Sequence, residues 1–203
     1  RTLLAASIAP LGWAGAAQAQ QAQQAPLSAT AAAPSTPAWE LNLSGALYSL
    51  PSEEDFVQPT FRADRGRLHL EARYNYEDRS SVSLFGGANF AWGDELQLTL
   101  TPMLGGLAGD TDGIVPAFEA GLTFRKLEAY AEAEYVFDLG DSSSNFFYMW
   151  SELSLWPTEW LRGGLVSQRT RVVETQLDFQ RGFLVGTSFG DFGASFYMFN
   201  PQE

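Results

Sequence analysis

The chain contains no cysteine and a single histidine, His69, among its 203 residues. The missing thiols exclude disulfide frameworks, thiolate metal sites and cysteine nucleophiles. Acidic residues outnumber basic ones by 24 to 12, and the resulting net charge of −12 argues against nucleic acid as a partner. No stretch approaches the roughly 20 consecutive apolar residues of a transmembrane helix, so a membrane crossing would have to be made by strands.

The first 37 residues differ in composition from the rest of the chain. Residues 1–19 form a short apolar run that ends in small residues, with Ala17, Gln18 and Ala19 in the A-x-A pattern of a cleavage site. We therefore predict a secretory signal peptide over 1–19; Pro10 and the shortness of the run argue against a buried or spanning helix. Residues 20–37 are mainly Ala, Gln, Ser, Thr and Pro without charge, which predicts a disordered linker. Residues 38–203 remain as one folded domain.

Long segments of 38–203 alternate strictly between apolar and polar residues. Between Arg67 and Glu77 every second residue is apolar, and the residues between them are polar or charged. The segment 127–137 follows the same rule and places Glu128, Glu132 and Glu134 on one parity. Because successive side chains of a strand point to opposite faces, each segment has an apolar face and an ionisable face. Charge of this density fits a polar lumen, with the apolar face toward lipid.

The turn residues divide this domain into eleven strands. We predict them near 38–50, 56–64, 67–78, 81–92, 95–107, 114–125, 127–138, 145–156, 160–171, 176–189 and 192–200. Tight turns alternate with longer polar connections, as periplasmic turns alternate with extracellular loops in membrane barrels. Aromatic residues cluster beside the tight turns and again toward the opposite strand ends, which predicts two interfacial girdles.

On these features residues 38–200 resemble the bacterial outer-membrane β-barrel proteins, in architecture rather than through a diagnostic motif. The resemblance implies an all-β, up-and-down antiparallel transmembrane β-barrel in the outer membrane of a Gram-negative envelope. It also implies outer-membrane lipid, lipopolysaccharide and the barrel-assembly machinery as partners. Because eleven strands would close with a parallel pair, we predict about twelve strands in the parent protein, the last one after Asn200. Ten strands, with one segment misassigned, is the alternative.

Charged residues on the inward parity define a candidate lumen. They are Glu40, Arg62, His69, Glu71, Arg73, Glu119, Arg125, Glu128, Glu132, Glu134, Glu152 and Arg162. Two interpretations stay open, a plugged barrel in which arginines bridge glutamates and a thin channel whose acidic wall admits cations or small solutes such as sugars. Arg169 and Arg171, near the long-loop rim, are candidate contacts for lipopolysaccharide phosphates. Arg181 conflicts with the pattern because it has apolar parity, so we predict a bulge or a position at the outer rim there.

His69 is the candidate catalytic residue of an enzymatic alternative, a barrel hydrolase that acts on lipid or peptide. Outer-membrane phospholipases have a serine two residues after their histidine, where this chain has Glu71. Omptin proteases have an aspartate two residues before theirs, where this chain has Arg67. We therefore expect a non-enzymatic structural or porin-like protein that uses no cofactor and no metal. A soluble lipid-binding barrel, with its apolar stripes turned inward, is the third alternative.

Overall fold

The computed structural model describes residues 4–10, 37–49, 55–172 and 178–200 of the chain. Their regular structure is β-strand, apart from one short 3-10 turn at Ser142–Ser144. The strands are β1 Leu4–Pro10, β2 Glu40–Ser49, β3 Phe56–Arg65, β4 Leu68–Tyr74, β5 Val82–Ala88, β6 Phe90–Trp92, β7 Leu96–Ala108, β8 Gly113–Phe124, β9 Leu127–Asp138, β10 Phe146–Leu155, β11 Leu161–Val172, β12 Asp178–Phe189 and β13 Phe192–Phe199. Among the described residues, none of the helical structure is long and apolar enough to cross a membrane.

All strands belong to one antiparallel sheet with up-and-down order. β5 and β6 both pair with β7, so they are two parts of one strand that is interrupted at Asn89. Counted in this way, the sheet has twelve strands. The additional pairing of β5 with β7 makes this sheet compatible with a barrel. The predicted all-β, up-and-down antiparallel fold with about twelve strands is confirmed.

The twelfth strand is not where the sequence analysis places it. The position between β2 and β13 is taken by β1, which comes from the segment predicted as a signal peptide and not from a strand after Asn200. Without a strand there, β2 and β13 would each present an edge of unpaired backbone groups. The signal peptide itself stays a prediction, and residues 20–36 of the predicted linker lie outside the described part of the chain.

Two asparagines end strands earlier than the alternation predicts. Asn75 adopts a left-handed φ of 56°, and its backbone N–H donates to the Ser81 carbonyl at 3.0 Å, so β4 ends at Tyr74 and not near residue 78. Asn89 interrupts the predicted strand 81–92, and its backbone N–H donates to the Arg67 carbonyl at 2.8 Å. The Asn75 side chain also accepts a hydrogen bond from the Ser80 N–H at 2.8 Å, and side-chain bonds to nearby backbone compete with ladder pairing.

The two faces of the sheet differ sharply in burial. On β4, Leu70 is 40% exposed, whereas the adjacent His69 and Glu71 are 1% and 4% exposed. The same contrast recurs on β5, where Leu84 is 63% exposed and Ser83 is fully buried. Apolar side chains therefore cover the outside of the sheet and charged side chains lie within it, the reverse of the usual distribution in a soluble protein.

Candidate functional site

Five charged side chains from β3, β4, β8 and β9 meet inside the sheet. They form what we call the central network, and they are Arg62, Glu71, Arg73, Glu119 and Glu134. Arg62 Nε lies 2.5 Å from Glu71 Oε2, and Arg62 Nη2 lies 2.8 Å from Glu119 Oε1. Arg73 binds Glu71 through Nε, and its Nη1 lies 2.9 Å from Glu134 Oε2.

The central network links strands that are not neighbours in the sheet. Arg62 and Arg73 belong to β3 and β4, while Glu119 and Glu134 belong to β8 and β9. Each of these five side chains is at most 7% exposed, so the ion pairs cross a space that little solvent reaches. Ion pairs desolvated to this degree persist only when each charge has good partners. Arg62 has two carboxylate partners, and Arg73 has three, since its Nη1 also lies 3.4 Å from Glu77 Oε1.

Aromatic rings enclose the Arg73 guanidinium. Its carbon lies 4.3 Å from the centre of the Tyr76 ring and 4.6 Å from the centre of the Phe85 ring. Cation–π contacts of this length stabilise a cation that has left water. The contacts fix Arg73 across the interior, because both the rings and the carboxylates hold the same planar group.

The other half of the interior is filled by an aromatic cluster with its own ion pair. Trp150 packs edge to face against Tyr197 and Phe199, with ring centres 5.2 and 5.4 Å apart. Beside it, Arg162 Nη1 lies 3.0 Å from Glu152 Oε2, and the Tyr197 hydroxyl donates to Glu152 at 2.8 Å. Polar and aromatic groups thus occupy the interior from one side to the other.

Carboxylates exceed cations among the described buried residues. Seven acids are buried there, against three arginines and His69. Two of the surplus acids accept hydrogen bonds from neutral donors: Tyr130 donates to Glu132 at 2.7 Å, and Trp156 donates to Glu128 at 2.6 Å. Six of the seven acids predicted to face inward are buried, namely Glu71, Glu119, Glu128, Glu132, Glu134 and Glu152, and the buried interior is acidic.

His69 occupies a closed position at the tight-turn side of the network. Its Nδ1 lies 2.8 Å from Asp64 Oδ1 and its Nε2 lies 3.3 Å from Glu71 Oε2, with the ring 1% exposed. Asp64 in turn accepts from the Asn89 side chain at 2.5 Å, and the Thr101 hydroxyl donates to Asn89 at 2.8 Å. Because each ring nitrogen faces a carboxylate and neither faces a hydroxyl nucleophile, this geometry belongs to a structural hydrogen-bond chain.

Two residues of the predicted lumen lie outside the buried interior. Glu40 is exposed at the beginning of β2, and Arg125 is exposed in the tight turn between β8 and β9. Arg125 adopts a φ of 55° and pairs with Glu95 at 2.9 Å. The prediction that these two side chains line the interior is wrong. Parity predicts which face of the sheet a side chain is on but not how far from the strand end it lies, and both residues lie at or just beyond a strand end.

Arg169 and Arg171 are the two arginines that the sequence predicts at the long-loop rim. Arg169 is half-buried on β11, and its guanidinium carbon lies 5.9 Å from the centre of the Phe147 ring. The side chain of Arg171 lies outside the described part of the chain. A lipopolysaccharide contact at either residue stays a prediction.

Sequence reasoning by charge alone misses the neutral residues that complete the interior. Gln58, Tyr48 and Tyr76 separate a small cavity of about 110 Å³ beside Arg62 from a larger one of about 280 Å³ toward the loop end. The inward parity of Tyr48 and Gln58 was the available signal, whereas Tyr76 has the outward parity of its segment and gave none. Within the described residues, no group of three histidine, aspartate or glutamate side chains is placed to hold a metal ion.

The chain matches no protein-family model, no curated protein and no solved structure. The function therefore has to be inferred from the inverted burial and from the central network.

Proposed function

We propose that this protein is an integral outer-membrane β-barrel, porin-like in architecture, whose interior the central network closes. The observation that carries the proposal is the inverted burial. More than thirty large apolar side chains are exposed among the described residues, while arginines and glutamates are buried. Monomeric soluble proteins rarely expose contiguous apolar patches beyond a few hundred Å². Lipid around the sheet would remove this surface from water and would leave the ion pairs inside.

Strand length and the ends of the strands support the same location. β7 has 13 residues and β8, β9, β11 and β12 have 12 each, enough for the roughly 9–11 residues of a tilted spanning strand. At the tight-turn end, the Arg65 guanidinium lies 5.6 Å from the Trp39 ring and that of Arg67 lies 5.4 Å from the Phe90 ring. Rings at the level of lipid headgroups, with cations that reach toward water, are typical of a membrane interface.

The central network favours a structural, non-conducting barrel over an open pore. Arg62 and Arg73 bridge to Glu119 and Glu134 across the interior and so occupy the path that ions would need. The surplus of buried carboxylates favours a second candidate, a thin cation channel that opens when the network separates. No described geometry favours the hydrolase, since His69 is buried between two carboxylates.

The two candidates differ in conductance. The chain is refolded into lipid vesicles, tested for the unheated mobility shift typical of folded membrane barrels, and then fused to planar bilayers. The closed barrel folds only with detergent or lipid and gives no steady current. A steady, cation-selective current establishes the acidic channel instead. A protein that folds and stays monomeric in detergent-free buffer contradicts both candidates and supports the soluble lipid-binding barrel.

A further inference from the structure

Arg181 is a charged residue on the apolar, exposed face of β12. It pairs in register with Ser167 of β11, and the register is unbroken on both sides of this pair. The bulge predicted from the sequence is therefore absent, and Arg181 points outward, beside the exposed Phe179 and Phe183. An arginine at the lipid face of a barrel costs about 2–4 kcal/mol at the bilayer midplane and less near the interface.

Arg181 lies at one end of a groove on the outer face of the sheet. A row of paired residues crosses the sheet from β7 to β12, and most of its members are small: Leu100, Ala120, Ala131, Ser151, Ser167 and Arg181. Larger side chains such as Leu122, Leu165 and Phe183 border this row. The resulting groove has a volume of about 1160 Å³, slightly above the range of sites for small molecules, about 300–1,000 Å³.

The groove runs obliquely across the proposed membrane span. Its row begins at Leu100, near the tight-turn end of β7, and ends at Arg181, close to the loop end of β12. Rows of paired residues climb relative to the barrel axis because the strands tilt by about 35–45°. The groove is therefore lined mainly by apolar groups along its length and has a cation, Arg181, at one end.

Among the described residues, the polar groups of the groove do not supply an anion to the Arg181 guanidinium. Ser151 and Ser167 hydroxyls bond to each other at 2.7 Å. In the part of the chain that the structure describes, no carboxylate forms an ion pair with Arg181. A cation at an apolar surface is stabilised by a partner that brings both negative charge and apolar contact.

We propose that this groove is a binding site for a membrane lipid with a net negative, phosphate-bearing headgroup. The acyl chains lie along the small residues, and the phosphate oxygens accept hydrogen bonds from Arg181, whose planar fork suits two parallel bonds. The inference rests on the proposed location in a membrane. It gives Arg181 a specific function at a site separate from the central network.

Native mass spectrometry of the refolded full chain tests the site. Micelles are supplied with equal amounts of dimyristoyl phosphatidylglycerol, which is anionic, and dimyristoyl phosphatidylcholine, which is zwitterionic. We expect the protein to retain more of the anionic lipid than of the zwitterionic lipid. Arg181→Leu should lower the ratio of retained anionic to zwitterionic lipid about tenfold. Arg125→Leu removes an exposed arginine from a turn and is the matched control, with the preference unchanged. Ala131→Leu fills the groove and should lower the retention of both lipids.

Four results would overturn the proposal. If the folded protein retains the two lipids equally, the lipid site is wrong but the membrane location stands. The same conclusion follows if Arg125→Leu lowers the preference for the anionic lipid as much as Arg181→Leu does. If the protein forms dimers that carry no bound lipid, and if Ala131→Leu abolishes these dimers, the groove is occupied by a second copy of the chain. A monomer that folds in detergent-free buffer overturns the membrane location, and the lipid site with it.

Discussion

Replacing Arg73 with methionine should destabilise the protein more than any exposed charge change. The substitution keeps an unbranched side chain of similar reach but removes the cation from Glu71, Glu77 and Glu134. Arg62 still neutralises Glu71, whereas Glu134 loses the only ion pair that the described residues give it. Removing one partner of a buried ion pair costs about 3–5 kcal/mol, because the remaining charge stays desolvated. We therefore expect a loss of about 3–5 kcal/mol in the free energy of unfolding.

The assay is a urea titration of vesicle-refolded protein, followed by tryptophan fluorescence and by the mobility of unheated samples. Arg125→Met is the control, since Arg125 and Glu95 are 72% and 67% exposed and such surface pairs contribute about 0–1 kcal/mol. Adding Glu134→Gln to Arg73→Met should recover part of the loss, since one unpaired charge is removed. If Arg73→Met costs no more than Arg125→Met, the interior is wet and the central network does not hold the barrel together.

Two further predictions use matched pairs. Leu84→Arg should lower the unfolding free energy in bilayers by up to about 2–4 kcal/mol, the cost at the midplane, whereas Leu139→Arg, at a comparably exposed bend outside the strands, should change it little. Equal effects in the same titration would mean that β5 does not face lipid. Gly105→Ala should cost about 1–3 kcal/mol because its new methyl group would overlap the Phe85 ring, while Gly106→Ala has open space around it. A Gly105→Ala variant as stable as Gly106→Ala, again by urea titration, would contradict this account of the packing around Phe85.

The alternation of the sequence was enough to predict the strands but not their exact ends. β9 runs from Leu127 to Asp138, as the periodicity over 127–138 predicts. The interruption at Asn89 was missed because it depends on side-chain bonds to Asp64 and Thr101, which belong to other strands. An alternating pattern predicts which face of the sheet a side chain is on. These side-chain bonds depend instead on the register between strands, which the pattern does not specify.

The ion pairs of the central network could not be derived from parity either. Arg62 and Glu119 are 57 residues apart, and Arg73 and Glu134 are 61 apart. Which strands face each other across the interior depends on strand number, tilt and the flattening of the cross-section, none of which one sequence contains. The outer groove was beyond reach for the same reason, although the anomalous parity of Arg181 was a visible signal.

Spin labelling tests most directly the claim that the exposed apolar face lies in lipid. The natural chain has no cysteine, so Leu84→Cys and Leu139→Cys each give a single labelling site at an exposed position. In reconstituted vesicles, lipid-soluble oxygen and a water-soluble nickel complex compete to relax the label. The membrane barrel predicts that oxygen dominates at position 84 and nickel at position 139. A label at position 84 that nickel reaches as readily as at position 139 would contradict the account.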